Sequence, residues 1–111
     1  MIKNGRIKST MLGREDHDIL TFMIYVEHDC CTVSGIGGFA LDRRDRETGQ
    51  LIFKASGLEA ISKVLEVVGV RTWEDLPNKY IRFEDDRSAW SITKIGHITE
   101  DKWVDLRDCF R

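Results

Sequence analysis

The stretch Ile19-Leu20-Thr21-Phe22-Met23-Ile24-Tyr25-Val26 decides the fold class, because it is rich in the β-branched and aromatic residues that favour strands. Its apolar residues alternate along the chain, so that one face carries Leu20, Phe22, Ile24 and Val26. This pattern predicts a strand with one face on a hydrophobic core.

Two further strands are predicted around it. Residues 2–11 mix sparse apolar residues with lysine and arginine, which is typical of an edge or outer strand with one wet face. A polar break at 13–18 separates this strand from the one at 19–26. Residues 31–41 follow at hairpin distance and contain Gly35, Gly37 and Gly38, which favour a bulge or a backbone that a ligand approaches closely.

The strongest local signal predicts a helix. Ser56-Gly57-Leu58-Glu59 fits a capping box, so we expect the helix to begin there. Gly69 lies where a left-handed C-cap belongs. Glu59 and Lys63 are spaced to pair on the outer side. The residues expected to face the sheet recur at helical spacing and are Leu58, Ile61, Leu65 and Val68.

Shorter elements complete the order. Residues 51–53 favour a short strand, residues 72–75 a helical turn that Pro77 stops, residues 79–84 and 90–98 two strands, and residues 99–101 a terminal turn. The chain is therefore predicted to be one α+β domain over residues 1–111. It combines a small antiparallel sheet of about five to six strands with one main helix on one face. Because the other sheet face has no helix, we expect a second copy to cover it in a symmetric oligomer.

Composition and charge exclude several classes of protein. The 111 residues are 41% hydrophobic and 32% charged, which excludes disordered and low-complexity chains. The net charge is −2, with acids and bases interleaved, so duplex DNA binding is disfavoured whereas a pocket for a small anion is allowed. No apolar run approaches the ~20 residues of a membrane span. The three cysteines, two of them adjacent, and the absence of a signal peptide indicate a reducing cytosol.

The sequence offers little for metal binding or catalysis. His17, His28, Cys30 and Cys31 lack zinc-ligand spacing, so no metal is expected. No catalytic motif is present, and we expect a protein that is not an enzyme and has no cofactor. A nucleophilic Cys109, Ser34 or Ser88 would need an oxyanion site and a base within hydrogen-bond reach, and His17 and His97 are the first candidates for the base.

Tryptophan and basic residues in the last third are more informative. Each of the three tryptophans has a basic residue within three positions before it: Arg71 before Trp73, Arg87 before Trp90 and Lys102 before Trp103. Indoles stack on bases and arginines bind phosphates, so the combination indicates a nucleotide site. The alternative is that these tryptophans belong to the core, where most tryptophans of small domains are found. Trp90 is the best candidate for a platform, because it follows the polar turn at 84–88.

Several stretches together resemble one phage family, the first Thoeris anti-defence family. They occur in its order and spacing over nearly the whole chain: Ser9-Thr10-Met11-Leu12-Gly13-Arg14-Glu15-Asp16-His17, Gly37-Gly38-Phe39-Ala40-Leu41-Asp42, Leu65-Glu66-Val67-Val68-Gly69-Val70, Trp73-Glu74-Asp75-Leu76-Pro77, Ile95-Gly96-His97-Ile98 and Asp101-Lys102-Trp103.

The resemblance implies a phage-encoded sponge that acts in the host bacterial cytoplasm. Members bind cyclic ADP-ribose isomers (such as gcADPR) made by bacterial TIR-domain proteins, without cleaving them, and so block Thoeris immune signalling. Their small antiparallel sheet with helices assembles as dimers and in some members as hexamers, with the nucleotide in recessed pockets at the dimer interface. Some members also bind cyclic oligonucleotides at separate sites.

Such a ligand sets requirements for the pocket. It needs an aromatic face for adenine, two or more cations for the diphosphate and polar groups for the ribose hydroxyls. The residues expected to bind the ligand are Arg44, Trp73, Asp86, Arg87, Trp90, Lys102, Trp103 and Arg107. The charged loop at 14–17 has two readings: a bridge between subunits or second ligand site, and a solvated loop with local salt bridges. The alternative function is a small phage module that binds nucleic acid or inhibits a host protein.

Overall fold

The α+β architecture is confirmed by a computed structural model, which describes residues 1–16, 18–85 and 92–110. The elements follow the order β1 (Ile2–Asp16), β2 (Ile19–His28), β3 (Thr32–Gly37), β4 (Asp42–Arg44), β5 (Leu51–Phe53), α1 (Ala55–Val68), a 3₁₀ turn (Trp73–Asp75), β6 (Tyr80–Glu84), β7 (Lys94–His97), β8 (Trp103–Asp105) and α2 (Leu106–Cys109). No helix in these ranges is long and apolar enough to cross a membrane.

Six strands form one antiparallel sheet in the order β3-β2-β1-β6-β7-β8, and β4 pairs with β5 in a separate ribbon. The prediction that β1 lies at an edge is wrong, because it pairs with β2 on one side and β6 on the other. The predicted polar break is also wrong. β1 continues to Asp16, since Gly13 pairs with Thr21 and Asp16 with Ile19, although the register shifts between these two pairs.

The two faces of the sheet differ in what covers them. On the inner face, Phe22, Ile24 and Val26 of β2 have no exposed surface and pack in one core with Ile81 and Phe83 of β6. This confirms the predicted alternation of β2. The outer face carries the alternate residues of the strands, among them Arg82 of β6, and at its β8 edge Asp108 of α2 lies beside Trp103.

The N-cap of helix α1 lies two residues before Ser56, and the predicted capping box is wrong. Lys54 is the N-cap residue and makes no side-chain hydrogen bond to the helix. Leu58 is 74% exposed rather than buried. The buried residues are Gly57, Ala60, Val64, Val67 and Val68, so the prediction is confirmed for Val68, and the predicted Ile61 is partly buried against the core. Gly69 ends the helix in the left-handed conformation with φ 87°, as predicted.

A short parallel bridge joins the edge strand β3 to the segment that precedes β7. Ile92, which precedes β7, forms a parallel bridge with Ile36 of the edge strand β3. Its N–H donates to Gly35 O at 3.3 Å, and its carbonyl accepts from Gly37 N at 3.4 Å. β8 and α2, which the sequence does not predict, follow the bends at 99–101 and close the other edge of the sheet.

Candidate functional site

Trp103 lies on the outer face of the sheet, at the strand pair β7–β8. Its register partner is Gly96. A Cβ atom placed on Gly96 would lie 2.6–2.7 Å from three atoms of the indole, so the ring lies face-on over the glycine backbone. Glycine in a strand often marks such a close approach. The absence of a side chain at 96 therefore gives the indole its place on the sheet.

Arg82 of β6 is the neighbour of this tryptophan on the outer face. Its guanidinium carbon is 4.9 Å from the Trp103 ring centroid, which is within the range of a cation–π contact. Two carbonyl oxygens fix the side chain: Arg82 Nε donates to His97 O at 2.6 Å and Nη2 to Glu100 O at 2.7 Å. The aromatic ring and the cation are thus held together before any ligand is bound.

A cavity of about 410 Å³ opens beside Trp103, within the size range of small-molecule sites. Among the described residues its lining carries Lys94 and three carboxylates, two of which already bind cations: Glu84 contacts the N-terminal ammonium group and Asp105 contacts Arg107, each at 2.9 Å. The lining residues are Ile2, Glu84, Lys94, Trp103, Val104, Asp105 and Asp108.

The predicted cations Lys102 and Arg107 also lie at this edge, and both bind acids. Lys102 Nζ is 3.1 Å from Glu100, and this contact is the main cause that lowers the pKa of Glu100. Arg107 Nη2 is 2.9 Å from Asp105, whose pKa it likewise holds below the ordinary value. The structure therefore brings Trp103, Lys102 and Arg107 to one edge of the sheet. The charges of Lys102 and Arg107 are each compensated there by a neighbouring carboxylate.

The other predicted site residues do not join this edge. Trp73 packs against the inner face with its ring edge-on to Phe22, at 5.3 Å between centroids, and its buried Nε1 finds no acceptor among the described residues. Trp73 and Trp103 thus lie on opposite faces of the sheet. The predicted residues Asp86, Arg87 and Trp90 lie outside the described residues.

Arg44 belongs to a separate charged cluster, at the β1–β2 turn. It is 2.7 Å from Asp18, while Arg14 Nη2 is 2.8 Å from Asp42, which is 1% exposed. Burial by itself would raise the pKa of Asp42, but the Leu20 N–H and Arg14 outweigh it, so the pKa is lowered. Arg14 thus makes a salt bridge within the chain, which agrees with the interpretation of residues 14–17 as a loop with local salt bridges. His17 lies outside the described residues.

Sequence reasoning missed Arg82 and Gly96. The signal for Arg82 is the alternation along the predicted strand at 79–84, because Arg82 stands between the apolar residues Ile81 and Phe83. The signal for Gly96 was weaker, because its partner strand β8 was not predicted. A glycine within a predicted strand is nevertheless a marker of close packing.

Comparisons of the chain with protein-family models, with curated proteins and with solved structures found no match.

Proposed function

We propose that this protein is a phage anti-defence sponge, which binds a TIR-produced cyclic ADP-ribose isomer in the host cytoplasm and keeps it intact. One observation carries the proposal: Trp103 lies on Gly96 with the Arg82 guanidinium 4.9 Å away, beside a cavity of about 410 Å³. An indole with a neighbouring guanidinium is a suitable surface for an adenine base. The sequence resemblance to the Thoeris anti-defence family supplies the identity of the ligand.

A sponge must bind its ligand tightly, and tight binding requires a deep pocket and not a flat surface. The ligand has roughly three dozen heavy atoms, and about −0.3 kcal/mol per atom gives about −11 kcal/mol, which is near nanomolar. That yield requires most of the ligand to be enclosed. In this proposal the carboxylates of Glu84, Asp105 and Asp108 accept hydrogen bonds from ribose hydroxyls, for which they are suited.

The diphosphate needs more than one cation, and among the described residues the cavity lining supplies Lys94. We therefore place the cations in a second copy of the chain, whose approach to the edge strand β8 would complete the pocket. This is consistent with the expected dimer, or a hexamer built from dimers, and makes oligomerisation part of the function.

The deciding experiment follows the fate of the nucleotide. The protein is mixed with a slight molar deficit of gcADPR, unbound nucleotide is removed by filtration, and the retained sample is heated and analysed by mass spectrometry. Recovery of intact gcADPR supports a sponge. Recovery of a hydrolysed product would show an enzyme, and failure to retain the nucleotide would reject binding. Trp103→Ala serves as the matched variant, with retention expected to fall.

The alternative class is separated by its dependence on salt. A nucleic-acid-binding module would retain single-stranded or duplex oligonucleotides, with an affinity that falls steeply as salt increases. Because the net charge is −2, we expect no retention of either at physiological salt.

A further inference from the structure

A hydrogen-bonded chain of serine, histidine and aspartate lies at the β2–β3 hairpin, away from the Trp103 cavity. The Ser34 Oγ atom is 2.7 Å from His28 Nε2, and the Asp29 Oδ2 atom is 2.9 Å from His28 Nδ1. A nucleophilic Ser34 requires a base within hydrogen-bond reach. The structure supplies this base as His28, whereas the sequence favoured His17 or His97.

The direction of the hydrogen bonds follows from the charge of Asp29. Lys3 contacts the Asp29 carboxylate, and the hydrogen bonds from Lys3 and then from His28 lower the pKa of Asp29. An ionised carboxylate only accepts hydrogen bonds, so His28 Nδ1 must carry a proton. In the neutral ring, Nε2 then has a free lone pair, and it accepts the hydrogen bond from the Ser34 hydroxyl. This is the tautomer in which an imidazole acts as a base toward a serine.

The packing around His28 holds this geometry in place. The imidazole side chain is only 3% exposed and stands edge-on to Phe83, with 5.0 Å between ring centroids. Asp29 adopts φ 47°, a left-handed conformation that turns its carboxylate back toward the preceding histidine. Ser34 itself is only partly buried, on the edge strand β3. The base is thus fixed next to the Ser34 hydroxyl.

We propose that Ser34 is a nucleophilic serine that accepts acyl or phosphoryl groups from small electrophiles, with His28 as base and Asp29 as the residue that positions His28. The Ser34 Oγ atom forms a bond to the electrophilic carbon or phosphorus, the leaving group departs with its bonding electron pair, and the hydroxyl proton passes to His28 Nε2. The product is a covalent adduct on Ser34. This site is independent of the proposed nucleotide pocket and goes beyond the sponge function.

Diisopropyl fluorophosphate is a suitable probe, because it reacts with activated serines. The Ser34 Oγ–P bond forms, the P–F bond breaks, fluoride leaves, and the proton taken up by His28 is released to solvent. Intact mass and peptide mapping should place one adduct on Ser34 and none on Ser56, a serine of α1 that serves as the internal control. Ser34→Ala should abolish the adduct.

Two variants separate nucleophile activation from a merely structural role. His28→Gln and Asp29→Asn should each slow labelling of Ser34 by about 100-fold or more, the range of general-base effects. Asp29 is 54% exposed, so its variant should melt close to the wild type and remain informative if His28→Gln does not fold. The absence of a Ser34 adduct in the wild type, or equal labelling rates in the wild type and Asp29→Asn, would overturn the proposal.

Discussion

Trp103 rests on Gly96, and a Cβ atom on that glycine would come within 2.6 Å of the indole. Real Cβ atoms essentially never approach other atoms so closely, so any side chain at 96 must displace the ring. The pair joins β7 to β8 and sets the position of the aromatic surface next to the cavity. The position of the indole is therefore encoded by a missing side chain.

Gly96→Ala tests this relationship. The added methyl group should push Trp103 off the strand, so that gcADPR affinity falls about tenfold or more, equivalent to about 1–3 kcal/mol of stacking energy. Calorimetric titration measures the affinity. Gly13→Ala is the matched control, since nothing lies within 4 Å of a Cβ atom there, and its affinity should equal that of the wild type. Unchanged binding by Gly96→Ala would contradict the placement of the site.

Trp103→Ala and Trp73→Ala should behave oppositely. Trp103 lies on the outer face, so its loss should weaken gcADPR binding by about 1–3 kcal/mol while the melting temperature changes little. Trp73 packs against Phe22 and the core, so its truncation should cost about 3 kcal/mol of unfolding free energy, the lower end of the range for buried tryptophan, because Trp73 is only partly buried. Thermal melts and titrations of both variants check this. Equal effects of the two variants on both properties would contradict the separation of the two faces.

The sequence predicts that α1 exists, but it does not predict correctly which side of the helix faces the sheet. Two stripes of α1 have helical spacing, one through Leu58 and Ile61 and one through Gly57, Ala60 and Val64. The structure buries the second stripe, because small residues let the helix approach closely, with a Cβ atom on Gly57 only 3.1 Å from Leu41. Apolar content favours the larger side chains and so selects Leu58, which is 74% exposed. The distance between helix and sheet, which decides the register, is a tertiary property.

The site was less predictable than the fold for a related reason. Trp103 was recognised by residue type, but its contact with Gly96 depends on strand β8, which has only three residues and no alternating pattern. The alternating pattern of β6 is enough to predict that Arg82 points away from the core. Its position beside Trp103, however, depends on hydrogen bonds to the carbonyl groups of His97 and Glu100, which local sequence does not predict. Local signals identified the residue types of the site, and long-range pairing determined which of them meet.

The pH dependence of stability should reveal the buried ion pair of Arg14 and Asp42. Because the pKa of Asp42 is lowered in the folded state, the pair contributes stability above the ordinary value of 3.8, and this stability is lost as pH falls through the lower folded pKa. Urea unfolding between pH 7 and pH 2 measures the loss. Asp42→Asn should show a shallower decline over the acidic range. Identical pH profiles for variant and wild type would contradict this assignment.

Removal of Arg14 should be costly at neutral pH. Arg14→Ala leaves the carboxylate of Asp42, which is 1% exposed, with the hydrogen bond from the Leu20 N–H and the electrostatic attraction of Arg44. Breaking a buried pair in this way costs about 3 kcal/mol of unfolding free energy. Arg43→Ala, a change at an exposed residue of β4, is the control and should stay within about 0.5 kcal/mol of the wild type.

Light scattering at micromolar concentration should give a mass of at least twice the 12.8 kDa of one chain. This follows from the proposal that a second copy completes the nucleotide pocket. Titration should then saturate only in samples that contain the oligomer. A monomer that binds gcADPR with full affinity would contradict the shared pocket, and it would leave the sponge proposal intact.

The bridge between Ile36 and Ile92 has a consequence for how the chain folds during synthesis. The bridge joins β3, which is synthesised early, to a segment that is synthesised late. In the same way, β1 can pair with β6 (Tyr80–Glu84) only after most of the chain has been made. Contacts of such large sequence separation raise the contact order and slow folding relative to that of a helical bundle. The growing chain therefore carries the apolar face of β2 without its full set of neighbours until nearly all of the protein has left the ribosome.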